Sequence, residues 1–164
     1  MNIETERLKI REYRLNDAPF IFELMNSEGW LKNIGDRNIK TIEDAEAYLQ
    51  KNYFSSYEKN GFGPYFVSLK DGTFIGSAGL YKRENLDHPD IGFAFLPEFF
   101  NKGYAFEASN AVMKFASQEL AINKIVGFTL PNNEASIKLL KKLGLSEVGT
   151  HKYEDGEELL LFSN

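Results

Sequence analysis

The sequence predicts an α+β (mixed α/β) fold: a central, mostly antiparallel seven-stranded sheet with helices on both faces, in the order β-α-α-β-β-β-α-β-α-β-β. Three observations carry this. Asp71-Gly72 and Asp155-Gly156 each separate two apolar runs, which is a strong hairpin signal. Apolar residues recur at helical spacing in four separate stretches. Residues 90–130 read as strand, helix, strand, a single parallel crossover in an otherwise antiparallel sheet. At 164 residues, one domain spanning 1–164 is expected.

Each element has a local cause. Over 7–13, Leu8 and Ile10 alternate with Lys9 and Arg11, the period of a half-buried strand. Asn16 stands where an N-cap belongs, ahead of Pro19 and the run from Phe20 to Met25, so a first helix should end near Asn26. Thr41 and Asp44 have capping-box spacing, and Ile42, Ala45, Leu49 and Tyr53 keep helical spacing until Asn60-Gly61. A second helix therefore follows the first with no strand between. Residues 63–69 and 74–82 form the first hairpin, and 90–96 is a further strand closed by Pro97. Residues 103–119 put Ala108, Ala111, Val112, Phe115 and Ala116 on one helical face, and the short apolar run 124–130 stops at Pro131. Asn133 can cap a helix over 134–142 with Gly144 beyond its end, and 146–153 and 157–162 close the chain as a hairpin. The longest loops are 27–40 and 83–89, the first of which is expected to shape a substrate pocket.

Composition excludes several functions. Nineteen Lys+Arg against 24 Asp+Glu give a formal charge of -5, the wrong sign for a protein held to phosphate backbones, so no nucleic-acid partner is expected. The absence of cysteine removes disulfides, thiolate metal sites and a cysteine nucleophile. His88 and His151 lack ligand spacing, so no metal is expected. The start of the chain lacks a basic stretch followed by an apolar one, and no apolar run reaches transmembrane length, so a cytoplasmic protein with no membrane partner is expected.

The chemistry concentrates in two stretches. Phe99-Phe100-Asn101-Lys102-Gly103-Tyr104-Ala105 places a glycine at the opening of a long helix, where free N–H groups and the positive helix end favour an anion. Taken alone, such a glycine is as often simple punctuation. The second stretch is Pro131-Asn132-Asn133-Glu134-Ala135-Ser136 running into Leu139-Leu140-Lys141-Lys142-Leu143-Gly144-Leu145. Together with the element order, these residues resemble the GNAT acyltransferase superfamily. The opening Glu4-Thr5-Glu6-Arg7-Leu8-Lys9-Ile10-Arg11 is similar to the "ET-ERL-LR" start of its ribosomal-protein N-terminal (RimJ/RimL-like) branch. The likeness covers nearly the whole chain.

That resemblance implies an enzyme that binds acetyl-CoA between splayed parallel strands and transfers the acetyl group to an amine. The family's pyrophosphate loop falls on 100–105, so the main chain of Lys102, Gly103, Tyr104 and Ala105 is implied to bind phosphate. Phe100 replaces the loop's usual first polar residue. The strand before the loop would hold the pantetheine arm through the main chain of Phe93 to Leu96, with Phe95 and Leu96 as cofactor-binding residues and the Phe95 N–H as donor to the thioester oxygen. Asn133 and Ser136 are implied to reach the pantetheine or thiol end. Many members carry a tyrosine acid where this chain has Leu140; in the RimJ/RimL-like branch a serine at the position of Ser136 is thought to serve, which makes Ser136 the catalytic candidate as proton donor to the thiol.

Direct attack in a ternary complex is expected, because no cysteine can carry an acyl group and Gly76-Ser77-Ala78-Gly79 lacks the spacing of a nucleophile elbow. An α-amine, with a reference pKa of about 7.7–8.0, is roughly one-tenth neutral at pH 7 and needs little help from a base. Asp90, Glu84 and His88 read as solvated loop charges ahead of bases, and Glu107 as a carboxylate complementing its helix end. Trp30, Tyr65 and Tyr81 read as core ahead of pocket wall. The expected acceptor is a protein N-terminal α-amine. The alternatives are a small-molecule amine (polyamine, amino sugar or antibiotic) and a non-catalytic acyl-CoA sensor. A homodimer is common in the resembled family.

Overall fold

The structure, a computed structural model, describes residues 1–153 and 155–164. Its strands are β1 (Asn2–Glu4), β2 (Leu8–Glu12), β3 (Pro64–Leu69), β4 (Phe74–Tyr81), β5 (Asp90–Phe95), β6 (Val126–Thr129), β7 (Ser146–Lys152) and β8 (Glu158–Ser163). They form one sheet in the order β1-β2-β3-β4-β5-β6-β8-β7, antiparallel throughout except between β5 and β6. The sheet has eight strands among the described residues, against seven expected. The additional one is β1, which pairs with β2 through Ile3 opposite Ile10. Three residues are too few to show a period, so nothing local announced it.

The helices are α1 (Ala18–Met25), α2 (Glu28–Asn33), α3 (Ile42–Tyr48), α4 (Ser55–Asn60), α5 (Tyr104–Leu120) and α6 (Glu134–Lys142). Asn16 is not the cap of α1. It lies in a 3-10 turn, Leu15–Asp17, and Asp17 occupies the cap position. Its buried carboxylate instead accepts from both terminal nitrogens of Arg11 and from the Arg14 N–H, a bidentate pair that ties the turn to β2. Thr41 and Asp44 do form the reciprocal capping box, with Asp44 N–H to Thr41 Oγ1 at 3.0 Å and Thr41 N–H to Asp44 Oδ2 at 3.2 Å. The helix that they start is not uniform: a π-helical turn, Leu49–Phe54, separates α3 from α4 and still turns Leu49 and Tyr53 inward. The expected loop 27–40 contains α2.

Apolar side chains cover both faces of the sheet. On one, Ala108, Val112 and Ala116 of α5 and Leu140 of α6 pack on Leu8, Ile10, Val67, Ile75, Ile91 and Phe95. On the other, α1 to α3 bring Ile21, Leu24, Met25, Trp30 and Ala45 onto Phe66, Phe74 and Leu96. No helix among the described residues is long and apolar enough to cross a membrane.

Candidate active site

The sheet opens between β5 and β6. Asp90 opposite Val126 is the one register pair between these parallel strands among the described residues, and beyond it they diverge. Strand parity then decides which main-chain groups face the gap. Val126 N–H donates to Pro89 O at 3.0 Å on the β6 side, whereas Leu96 N–H donates to Ile75 O at 2.9 Å on the β4 side. The N–H and C=O groups of Phe93 and Phe95 share parity with Pro89 and turn into the gap. Leu96 has both main-chain groups engaged, since its carbonyl also accepts from Phe99 N–H at 3.0 Å, and its side chain is buried on the opposite face.

The wide end of the gap meets the start of α5. Asn101 (φ 61) and Gly103 (φ 81) both lie in the left-handed region, so the chain makes a tight turn directly before the helix. The amides of Gly103, Tyr104 and Ala105 precede the first bond of the helix, which Glu107 N–H donates to Gly103 O at 3.1 Å. Across the gap, Asn133 caps α6 by accepting from Ser136 N–H at 3.2 Å, which leaves its side-chain NH2 for another acceptor. Ser136 is half-buried with its hydroxyl unbonded among the described residues. Leu140 is 1 % exposed in the core, directly over Gly127, and has no proton to give.

A cleft of about 1290 Å³ joins these parts, lined by Phe93, Phe95, Gly103, Ala105, Asn133 and Ser136 at one end. Tyr104 lines it as well, whereas Leu96 and Lys102 do not. The exposed Lys102 turns its ammonium toward the Phe99 ring, 6.0 Å from the centroid. The other end of the cleft lies on the opposite face of the sheet, where α2 and α3 bring Trp30 and Tyr48 to Tyr81 of β4. Tyr81 is thus a wall residue, Trp30 belongs to the core and also lines the wall, and Tyr65 sits in the core, stacked on Tyr57.

Asp90 is not a solvated loop charge. It opens β5, is 2 % exposed, and accepts from Arg83 Nε at 2.9 Å. Arg83 in turn lies over the rings of Tyr81 and Phe128, 5.0 and 4.9 Å from their centroids. Burial pushes the Asp90 carboxyl up to about 6 against the opposing pull of Arg83. Glu84 and His88 are exposed. A pKa raised by folding means that the folded state binds the proton more tightly. The associated stabilisation is therefore complete below the unfolded value of about 3.9 and is lost as pH rises through about 6. Relative to wild type, Asp90→Asn should gain on the order of 2 kcal/mol between about pH 4.5 and 7.5 in urea unfolding, whatever constant offset comes from leaving Arg83 unpaired. Parallel stability curves would contradict this.

Of the residues singled out by sequence, the fold thus gathers Phe95, Gly103, Tyr104, Ala105, Asn133 and Ser136 around one cleft. Sequence reasoning assigned the whole stretch Phe93 to Leu96 to the arm and missed the alternation within it, in which Phe93 and Phe95 face the gap while Ala94 and Leu96 face β4. It also missed the Arg83–Asp90 pair, which no local spacing signals.

Comparison with known proteins agrees with this architecture. The family model described as "Acetyltransferase (GNAT) domain" matches residues 7–146. The chain is 33% identical over 153 residues to an uncharacterized N-acetyltransferase, YnaD of Bacillus subtilis, covering 93% of this chain and 86% of the relative. It superposes on the crystal structure of a GNAT-family acetyltransferase from Bacillus anthracis with a TM-score of 0.81 at 26% identity, over 100% of this chain and 98% of the other. A ribosomal L7/L12 α-N-protein acetyltransferase, RimL, solved with coenzyme A, shares the fold with a TM-score of 0.87 at 16% identity, over 100% and 97% of the two chains.

Proposed function

Because the chain belongs to the GNAT acetyltransferase family and is an acetyl-CoA-dependent N-acetyltransferase, we propose that its acceptor is the α-amine of a protein N-terminus, as in the RimJ/RimL-like branch. The observation that carries this reading is the charge balance of the cleft. Among the described residues its wall holds four carboxylates against five cationic side chains. One of the carboxylates, Asp90, is already paired with Arg83. Polyamines and aminoglycosides carry several positive charges and call for an acidic wall. A peptide N-terminus brings one amine, and the aromatic surfaces of Trp30, Tyr48 and Tyr81 suit the apolar side of a short peptide.

The residues fit the donor. Left-handed Gly103 lets an anion approach the free amides of Gly103, Tyr104 and Ala105. Phe93 and Phe95 offer edge-strand hydrogen bonds to an amide-bearing arm. Acetyl-CoA supplies a thioester carbonyl for attack and a thiol as leaving group. The Phe95 N–H stabilises the negative charge that develops on the carbonyl oxygen. Asn133 orients the thiol end through its side-chain NH2. As the new C–N bond forms and the C–S bond breaks, the amine sheds one proton to water and the Ser136 hydroxyl gives one to the departing sulfur, to be recharged from solvent. Most of the acceleration is alignment and charge stabilisation, because the α-amine is partly neutral near pH 7 and a thiol is a tolerable leaving group.

One thiol-release assay tests both parts. With acetyl-CoA saturating, kcat/KM for a panel of peptide N-termini should exceed that for spermidine and for an aminoglycoside by at least about tenfold. In the same assay Ser136→Ala should lower kcat about tenfold or more, with the Kd for CoA changed less than about twofold. A preference for the polycations would overturn the acceptor reading. An unchanged kcat in Ser136→Ala would overturn the role of that serine.

A further inference from the structure

The sequence motif left without a role is the opening Thr5-Glu6-Arg7, and its contacts lie about a hundred residues away. Thr5 Oγ1 donates to Glu107 Oε2 at 2.5 Å, Arg7 N–H to the same oxygen at 2.9 Å, and Arg7 Nε to Glu107 Oε1 at 2.7 Å. Arg7 Nη1 donates to Lys102 O at 3.0 Å, and its guanidinium lies over the Tyr104 ring, 4.4 Å from the centroid. Arg7 Nη2 is the atom that a Cβ on Gly103 would meet, at 3.3 Å. Arg7 does not line the cleft, whereas Gly103 and Tyr104 do. One guanidinium therefore grips, from behind, the carbonyl immediately before the left-handed glycine, the first ring of α5 and the carboxylate one turn into that helix.

We propose that Thr5, Arg7 and Glu107 form a clamp that holds the turn before α5 with its amides facing the cleft, so that Arg7 is a positioning residue for the diphosphate of the acetyl donor. The inference rests on the acetyl-CoA reading of the cleft. Its physical basis is twofold. A trans peptide carries its C=O and N–H in opposite directions, so fixing Lys102 O on Arg7 turns the Gly103 N–H away from Arg7. The clamp also disposes of a competitor. Glu107 sits one turn into α5, where a loose carboxylate would swing toward the free amides and repel a diphosphate. Three donors tie it back. Burial works against its charge, but hydrogen bonds from Thr5 and Arg7 outweigh that and hold its carboxyl below the usual range. Arg7 pairs with it on the side away from the cleft, so the positive helix end is left for the ligand.

The test compares two donors, acetyl-CoA and acetyl-pantetheine, which lacks the diphosphate. For Arg7→Ala the KM for acetyl-CoA should rise about tenfold while kcat at saturation changes less than about twofold. Its kcat/KM with acetyl-pantetheine should match that of wild type. Arg7→Lys keeps the charge but cannot span Glu107 and Lys102 O together, and should resemble Arg7→Ala. Thr5→Ser keeps the hydroxyl donor and should behave as wild type. Equal loss with both donors would mean that the contacts only support the fold, and an unchanged KM for acetyl-CoA would equally overturn the clamp. Where Arg7→Ala fails to fold, Arg7→Lys gives the same comparison of donors. If wild type itself fails to bind CoA in titration calorimetry, the acetyl-CoA reading falls. Binding by wild type with equal binding by Arg7→Ala overturns the clamp alone.

Discussion

Gly76→Ala should lower kcat/KM by more than about a hundredfold and cost roughly 3 kcal/mol or more of stability. Gly76 lies on β4 opposite Phe95, and a methyl built there would sit 2.5 Å from Ala94 O, 2.6 Å from Phe95 Cδ2 and 2.8 Å from Phe95 Cα. Two of these neighbours are backbone and cannot step aside. The methyl can be housed only by prising β5 from β4, starting with the bond from Leu96 N–H to Ile75 O. That displacement moves Phe93 and Phe95, whose amides are proposed to hold the pantetheine arm and the thioester oxygen, and a shift near 1 Å is enough to lose about a hundredfold in rate. Thermal melting read beside thiol release separates the two effects. A variant that melts with wild type and turns over normally would mean that the strands are not closely matched here, and would remove Phe93 and Phe95 from the mechanism. Destabilisation with intact kcat/KM at low temperature would retain the packing argument and discard the catalytic one.

Gly103→Val should weaken CoA binding by about a hundredfold. The φ of 81° at Gly103 is a left-handed conformation that a β-branched residue tolerates poorly, and its Cβ would press on Arg7 Nη2 at 3.3 Å. Relief comes by rotating the peptide between Lys102 and Gly103. The rotation releases the Lys102 carbonyl from Arg7 and turns the Gly103 amide out of the proposed anion site. The expected stability loss is smaller, about 1–2 kcal/mol, because the turn is on the surface and α5 remains packed through Ala108, Val112 and Ala116. Calorimetric titration with CoA and with pantetheine distinguishes a phosphate-site defect from general damage. The defect should be confined to CoA, and equal weakening of both ligands would place the diphosphate elsewhere.

The two variants probe different distances in the chain. Gly76 matters through a strand neighbour nineteen positions away, whereas Gly103 matters through Arg7, 96 positions away. Neither contact could be read from local spacing. By contrast, the strand at the head of the crossover, the long helix behind Gly103 and the capped helix Glu134–Lys142 could each be placed from their own residues.

What the sequence determined by itself is what short-range physics encodes. Alternation over Leu8 and Ile10, the reciprocal bonds of Thr41 and Asp44, the Asp71-Gly72 turn and the Asn133 cap all act within four residues, so the element order and most boundaries were legible. So was the absence of a cysteine carrier, which is a matter of composition. The stretch that resembles the family's phosphate loop, with Phe100 at its usual first polar position, could be picked out because it is contiguous, and so could Leu140 at the family's tyrosine position, because it adjoins the contiguous Lys141-Lys142-Leu143-Gly144. The tertiary structure alone decided the rest. A three-residue strand, β1, has no period and exists only because β2 offers its edge. The six-residue helix α2 is too short to stand on propensity and is held by packing Trp30 into the core beside β5. The gap beyond Asp90 and Val126, which makes the cleft, is a property of two strands parting and of neither strand's residues. Asp90, a solvated charge by its neighbours in sequence, became a buried and ion-paired group because folding brought Arg83 onto it and removed the water. Burial and pairing depend on what arrives from elsewhere in the chain, and a local pattern carries no record of it.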